Sequence, residues 1–218
     1  MITILYCSSN REKPDFEKRI IENLLRVNGG IPIISVTQQP LDLGRNICVG
    51  DVGASGFNYF KQVLIGLREI KTKFTIMAEA DCLYPSGYFD FIPERENICY
   101  RANDIYIVPD RRNYFFYKKE GSTFAQIVGT EFYKTTLETL FDGAPEWSTE
   151  EKNFPKERYR KSDVFKEFER WNPPAPLISF KTHMGMRYYT HSERTPIYEL
   201  PYWGNSKKLC DYYYNGIK

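Results

Sequence analysis

Over the first ninety residues, apolar runs of strand length alternate with stretches whose apolar positions repeat at helical spacing. Residues 2–7 (ITILYC) and 31–36 (IPIISV) are nearly continuously apolar, the pattern of strands buried on both faces. Between them Pro14 and Asp15 open a helix carrying Phe16, Ile20, Leu24 and Val27 on one face, and Asn28-Gly29-Gly30 closes it. A strand, a helix and a strand in that order predict a βαβ unit with parallel strands and a right-handed crossover. Residues 46–49 predict a third, short strand. The glycine-rich stretch 50–56 then leads into a helix with Phe57, Phe60, Leu64 and Leu67 along one face, and the run Phe74, Ile76, Met77, Ala78 predicts a fourth strand.

Beyond Pro93 the pattern changes. Residues 98–100, 105–108 and 114–117 predict short strands, with turns at Asn103-Asp104 and Pro109-Asp110. Residues 126–130 lead into a helix over 134–141, ended by Asp142-Gly143. A helix is predicted over 163–171, stopped by Pro173-Pro174, and a last strand over 177–180. The expected fold class is α/β, in one large domain or a domain with an appendage, with a regular β/α pattern over 1–93 and a mixed pattern over 94–218.

Composition narrows the partners. Lys and Arg total 30 against 28 acids, a net charge of +2, which is too balanced for nucleic-acid binding by bulk electrostatics and leaves only local patches. The five cysteines are scattered, with no C-x-x-C pair, so neither a zinc site nor a disulfide framework is indicated. No secretory pattern or membrane-length apolar run is present, and a cytoplasmic protein is expected.

The candidate chemistry centres on Glu79 and Asp81, which follow the fourth predicted strand and are separated only by Ala80. A buried strand ending in two acids delivers negative charge to the carboxyl edge of the sheet, where open α/β sheets bind ligands. Hard oxygen ligands there suit Mg²⁺ or Mn²⁺ holding phosphates; an ordinary solvated strand-to-loop junction has the same composition. Ser8, Asn10 and Arg11 lie in the loop after the first strand, at the same edge, as candidates for base, ribose or phosphate contacts. Gly53 and Ser55 belong to a loop that opens a helix, where backbone N–H groups can face phosphate, although neither G-x-x-x-x-G-K-[ST] nor G-x-G-x-x-G occurs. Arg111, Arg112, Lys118 and Lys119 flank Tyr114-Phe115-Phe116-Tyr117, an interleaving that suits an anionic polymer and equally an edge hairpin guarded by charge.

Taken together, these stretches resemble the GT-A glycosyltransferases, enzymes that use nucleotide-sugar donors, and the resemblance implies a Rossmann-like mixed sheet flanked by helices in a single domain. The order is shared: a β/α nucleotide-sugar-binding half (1–93), a D-x-D-type acidic motif after the fourth strand, and a mixed acceptor half (94–218). The family's metal-binding motif falls on Glu79 and Asp81, with Glu in place of the first Asp, and Ala80 between them falls among the implied nucleotide-sugar contacts. Gly129, Leu137, Leu140 and Gly143 follow the order seen in family-2-type inverting enzymes. Glu150-Glu151 then stands where their acidic pair belongs, so the resemblance implies Glu151 as catalytic base with Glu150 as its neighbour or substitute. His183 resembles the family's extra metal ligand, with Arg187, Lys207 and Lys208 as diphosphate contacts.

The implied function is metal-dependent transfer from a nucleotide-diphosphate sugar, UDP-sugar first, to an acceptor hydroxyl. Arg111, Arg112, Tyr114 and Trp147 are the implied acceptor side. Acceptors include 5-hydroxymethylpyrimidine in DNA, as for a phage-type enzyme, and polysaccharide, glycolipid or small glycosides. A retaining enzyme would use the same metal without the base. Nucleotidyltransferases share this kind of scaffold but carry a G-x-G-T-R-type loop where this chain has Ser8-Ser9-Asn10-Arg11. A non-catalytic sugar- or nucleic-acid-binding module is the third class.

Overall fold

A computed structural model describes residues 1–109, 112–118, 121–150, 164–182 and 195–215. The strands are β1 (Ile2–Ser8), β2 (Ile33–Thr37), β3 (Arg45–Cys48), β4 (Phe74–Glu79), β5 (Cys82–Leu83), β6 (Cys99–Ala102), β7 (Ile105–Pro109), β8 (Phe116–Lys118), β9 (Gln126–Gly129), β10 (Phe168–Trp171), β11 (Leu177–Lys181), β12 (Glu199–Leu200) and β13 (Gly204–Asn205). The helices are α1 (Pro14–Val27), α2 (Gly56–Glu69), α3 (Thr130–Leu140) and the short α4 (Ser206–Cys210).

Seven strands form the main sheet in the order β10-β6-β9-β4-β1-β2-β3. All its pairs are parallel except those of β9, which runs antiparallel to both β4 and β6. Both faces are covered, which is why the strands read as continuous apolar runs. Leu5 and Cys7 of β1 and Met77 of β4 pack with Phe57, Phe60 and Leu64 of α2 and with Tyr133 and Leu137 of α3. Ile4 and Tyr6 of β1, with Ile76 and Ala78 of β4, face α1 through Ile21, Leu24 and Val27. On α1's side a second sheet, β5-β11-β7-β8, packs its Leu83, Val108, Ile178 and Phe180 against Phe16 and Ile20. Strands from beyond residue 94 thus complete the sheet that the first β/α units begin. The mixed α/β architecture in one domain is as expected from the sequence.

Two local expectations are corrected. Residues 168–171 form a strand, not the end of a helix: β10 pairs in parallel with β6, Phe168 to Cys99 and Trp171 to Ala102. Its alternation is what the edge needs, since Phe168 packs on the α3 face and Trp171 on the opposite one, as side chains an odd number of strand residues apart must. The strand expected over 114–117 instead covers Phe116–Lys118, and Phe115 makes a single bridge to Ile197.

Gly129 shows why the turn from β9 into α3 requires glycine. A Cβ there would overlap the backbone carbonyl of Glu96, a group that cannot move aside as a flexible side chain would.

Candidate active site

The Glu79-Ala80-Asp81 stretch is the junction between the two sheets. Glu79 is the last residue of β4, and the chain crosses into the second sheet at Cys82, the first residue of β5. There β5 pairs antiparallel with β11, Cys82 opposite Ser179, and the Asp81 carbonyl accepts from Phe180 N at 2.8 Å. Glu79 is held through its backbone: its N–H donates to the Tyr84 hydroxyl at 3.2 Å, and that hydroxyl donates to the Phe124 carbonyl at 3.0 Å.

Asp81 does not stand at an ordinary solvated strand-to-loop junction. Its side chain is 19% exposed, and the Lys181 ammonium lies 3.7 Å from its Oδ2. The Cys82 thiol donates to Oδ1 at 3.1 Å. Burial, then the charges of Asp81 and Glu79, push that thiol well above its ordinary pKa, so it stays a protonated donor. Burial alone would lower the Lys181 ammonium, but Asp81 foremost, with Cys82 and Glu79, outweighs it and holds its pKa above the ordinary value.

Glu79, Asp81 and Cys82 offer ligand atoms within 4.8 Å of one another. With the thiol protonated, the usable donors are carboxylate oxygens, a set that fits a hard divalent cation such as Mg²⁺ or Mn²⁺.

A third carboxylate, which the sequence does not single out, stands beside them. Glu12, in the loop after β1, accepts from the Thr182 hydroxyl at 2.6 Å. Burial is the main cause that raises its pKa to about 7; Asp81 and Glu17 add to the rise, and the Thr182 bond and Arg11 oppose it. Glu17, on the first turn of α1, is buried and accepts from the Tyr6 hydroxyl at 2.7 Å. Lys181 is likewise absent from the sequence candidates. Its signal is the same as that of Glu79, a charged residue closing an apolar strand run at 177–180.

The other candidates fall into three groups. In the loop after β1, Ser8 is buried and Arg11 is exposed. The Asn10 side chain accepts from Gln38 N and Gln39 N, both at 2.9 Å, with its own φ at 53°. Asn10 therefore ties the β1 loop to the end of β2.

In the glycine-rich loop, Ser55 caps α2 by accepting from Asn58 N at 3.0 Å, and it donates to the Ser148 carbonyl at 2.6 Å. Asn58 accepts from Ser148 N at 2.8 Å and donates to the Val52 and Gly53 carbonyls at 2.6 and 3.0 Å. Gly53 has φ +78°, and a Cβ on it would come within 2.6 Å of Thr149. This clasp sets Ser148, two residues before the exposed Glu150, beside the N-terminus of α2. Trp147, one position before Ser148, lines a cleft of about 400 Å³ with Lys61, Phe141, Gly143 and Glu146.

The third group lies on the second sheet's flank. Arg112 and Lys208 are exposed, Tyr114 packs edge-on against Phe116 and Tyr198, and Lys207 pairs with Asp211 at 2.6 Å. Ser206 of α4 donates to the Asn113 carbonyl at 2.6 Å, which draws Lys207 and Lys208 toward the Arg112–Tyr114 segment. Glu151, His183, Arg187 and Arg111 lie outside the described residues.

The chain matches no protein-family model and no curated protein. Among solved structures it is similar to the apo form of the glycosyltransferase GlyE from Streptococcus pneumoniae TIGR4, at TM-score 0.53 and 8% identity, with 88% of this chain and 57% of that one covered. The chain has a GT-A-like glycosyltransferase fold. TarS 1-349 from S. aureus, solved in complex with UDP-GlcNAc, is similar at TM-score 0.49 and 11% identity, covering 87% of this chain and 62% of that one. The inositol-1-phosphate CTP transferase from T. maritima is similar at TM-score 0.49 and 10% identity, covering 84% and 89%. The GT-A-like chain spans about three-fifths of the length of the GlyE and TarS structures. Among the described residues, no helix is long and apolar enough to cross a membrane.

Proposed function

We propose that the protein is a divalent-metal-dependent glycosyltransferase acting on a nucleoside-diphosphate sugar. The observation that carries this reading is the Glu79–Asp81 pair at the carboxyl edge of a GT-A-like sheet, with its oxygen atoms gathered and its thiol neighbour kept protonated. Glu79 and Asp81 would hold the ion, with His183 as the third ligand implied by the family resemblance. When bound, the ion supplies Lewis-acid neutralisation of the departing diphosphate.

The remaining roles belong to the chain. Arg11, in the loop beside this edge, binds the donor through a charge-assisted contact. The acid pair Glu150-Glu151 takes the proton of the attacking hydroxyl, with Glu151 as base, an arrangement that inverts the anomeric centre. The clasp through Ser55 and Asn58 orients that pair. Trp147 offers an apolar wall to a sugar ring. The β7–β8 hairpin with Arg112, Tyr114 and Lys118 faces the acceptor; DNA bearing a hydroxymethylated pyrimidine, an oligosaccharide and a small glycoside are the acceptor arms to compare.

The test is release of nucleoside diphosphate from a panel of nucleotide sugars, UDP-sugars first, each with Mn²⁺ and with EDTA. CTP plus a sugar phosphate, read by pyrophosphate release, serves as the opposing arm. The expected result is Mn²⁺-dependent diphosphate release from one donor, lost in Asp81→Asn. Pyrophosphate release with CTP, or diphosphate release indifferent to EDTA, would overturn the reading.

A further inference from the structure

Lys181 is placed by the register of β11, not by chance of a surface rotamer. Ser179 sits opposite Cys82, Phe180 N donates to the Asp81 carbonyl, and Lys181 is the next residue on the strand. Phe180 and Ile178 point into the core beneath the second sheet, so the alternation of the strand turns Lys181 the other way, toward the acid pair. Thr182 pins the following residue by its bond to Glu12. The outcome is a side chain 24% exposed, with its ammonium 3.7 Å from Asp81 Oδ2, on a flexible four-carbon stem that can re-aim. The other oxygen, Oδ1, is taken by the Cys82 thiol. Both acceptor atoms of Asp81 are thus engaged by the protein itself.

We propose that Lys181 is the resident cation of the Glu79–Asp81 pair, competing with a divalent ion for Asp81 until the donor's diphosphate draws its ammonium away. This rests on the cation-site reading above and adds an order of events to it. Without a donor, a divalent ion at Asp81 meets a positive charge already in place, and two cations around one carboxylate repel. With a donor, the ammonium gains phosphate oxygens as a new partner, and Asp81 Oδ2 is freed for the ion. Lys181 is accordingly a positioning residue that makes metal entry depend on donor binding.

The experiment counts free Mn²⁺ by electron paramagnetic resonance in titrations of the full chain, first with Mn²⁺ alone and then with ADP, CDP, GDP or UDP added in turn. Three variants accompany the wild type: Lys181→Met keeps the aliphatic stem, Lys181→Arg keeps the charge, and Asp81→Asn removes the ligand. Thermal melts of each confirm folding. Lys181→Met should bind Mn²⁺ alone at least tenfold more tightly than wild type, a gain that a merely structural lysine would not give on removal. One of the diphosphates should tighten Mn²⁺ at least fivefold in wild type and Lys181→Arg, and much less in Lys181→Met. Equal or weaker Mn²⁺ binding by Lys181→Met, or no diphosphate effect in wild type, overturns the proposal. If Asp81→Asn binds Mn²⁺ as wild type does, the cation site itself is wrong, whatever Lys181 does.

Discussion

Asn58 is the clearest place to test the clasp between the glycine-rich loop and the segment leading to Glu150. The side chain is fully buried and makes three hydrogen bonds: to the Val52 carbonyl at 2.6 Å, to the Gly53 carbonyl at 3.0 Å, and from Ser148 N at 2.8 Å. Asn58→Ala removes all three. The Gly53 carbonyl keeps a second donor, the Gln38 side chain at 2.9 Å, so its loss counts least. At about 1 kcal/mol for each neutral bond, more where a buried partner is left unmet, the change should cost about 2–3 kcal/mol. For a domain of this size that is a fall in Tm of about 5–10 °C. The assay is urea unfolding followed by circular dichroism, with an unchanged m-value as the sign that only stability moved. The same variant should also lower kcat, because one of the two segments it loosens, at Ser148, leads to the proposed base. A loss below about 0.5 kcal/mol would show that the loop is held by something other than Asn58, and the account of the clasp would fail.

Three further outcomes are expected. Glu151→Gln should lower kcat by about 10²–10⁴-fold, the range for losing a positioned base, with donor affinity kept; if Glu150→Gln is the damaging change instead, the base is Glu150, and a product of retained configuration refutes both. Glu12 should make stability fall as pH rises. Its folded pKa is about 7 against an ordinary 4.5, so between those values the native state holds a proton that the unfolded chain has released, and stability drops across that window. Glu12→Gln in EDTA should flatten the slope, and an unchanged slope counts against the shift. If duplex DNA is the acceptor, Arg112→Ala with Lys118→Ala should reduce the log–log salt slope of binding by about 0.9 for each phosphate no longer neutralised, while no measurable DNA affinity at low salt removes DNA from the acceptors.

Much of the fold is legible because the first β/α units bury both faces, and continuous apolar runs with helices between them announce that arrangement. Residues 163–171 read as a helix because a lone edge strand of four residues carries too little alternation to distinguish it from a helix end. The site is half legible. Glu79 and Asp81 stand out as two charges closing an apolar run. Glu12 and Lys181 do not, since their nearness to Asp81 depends on a second sheet folding back over α1. The hydrogen bonds that Asn10 and Ser55 make to other loops are equally invisible, because a polar loop residue reads the same whether it faces a ligand or a backbone.

The acid pair bridges two sheets across a single intervening alanine, and this geometry has a mechanical consequence. Any tilt of the second sheet against the first is transmitted to Asp81 while Glu79 stays with β4, so the distance between the two carboxylates gauges how the layers are seated. Leu83 and Ile178 lie under the second sheet, fully buried and paired with each other across β5 and β11, the strands that meet at this seam. A truncation of Ile178 to Val opens only a methyl-sized gap, yet it would detune the proposed cation site by shifting the platform on which Asp81 stands. For the proposed cation site, buried residues that hold no ion would thereby acquire a say in metal affinity, and the packing beneath β5 would be a place where that affinity is adjusted without changing a proposed ligand.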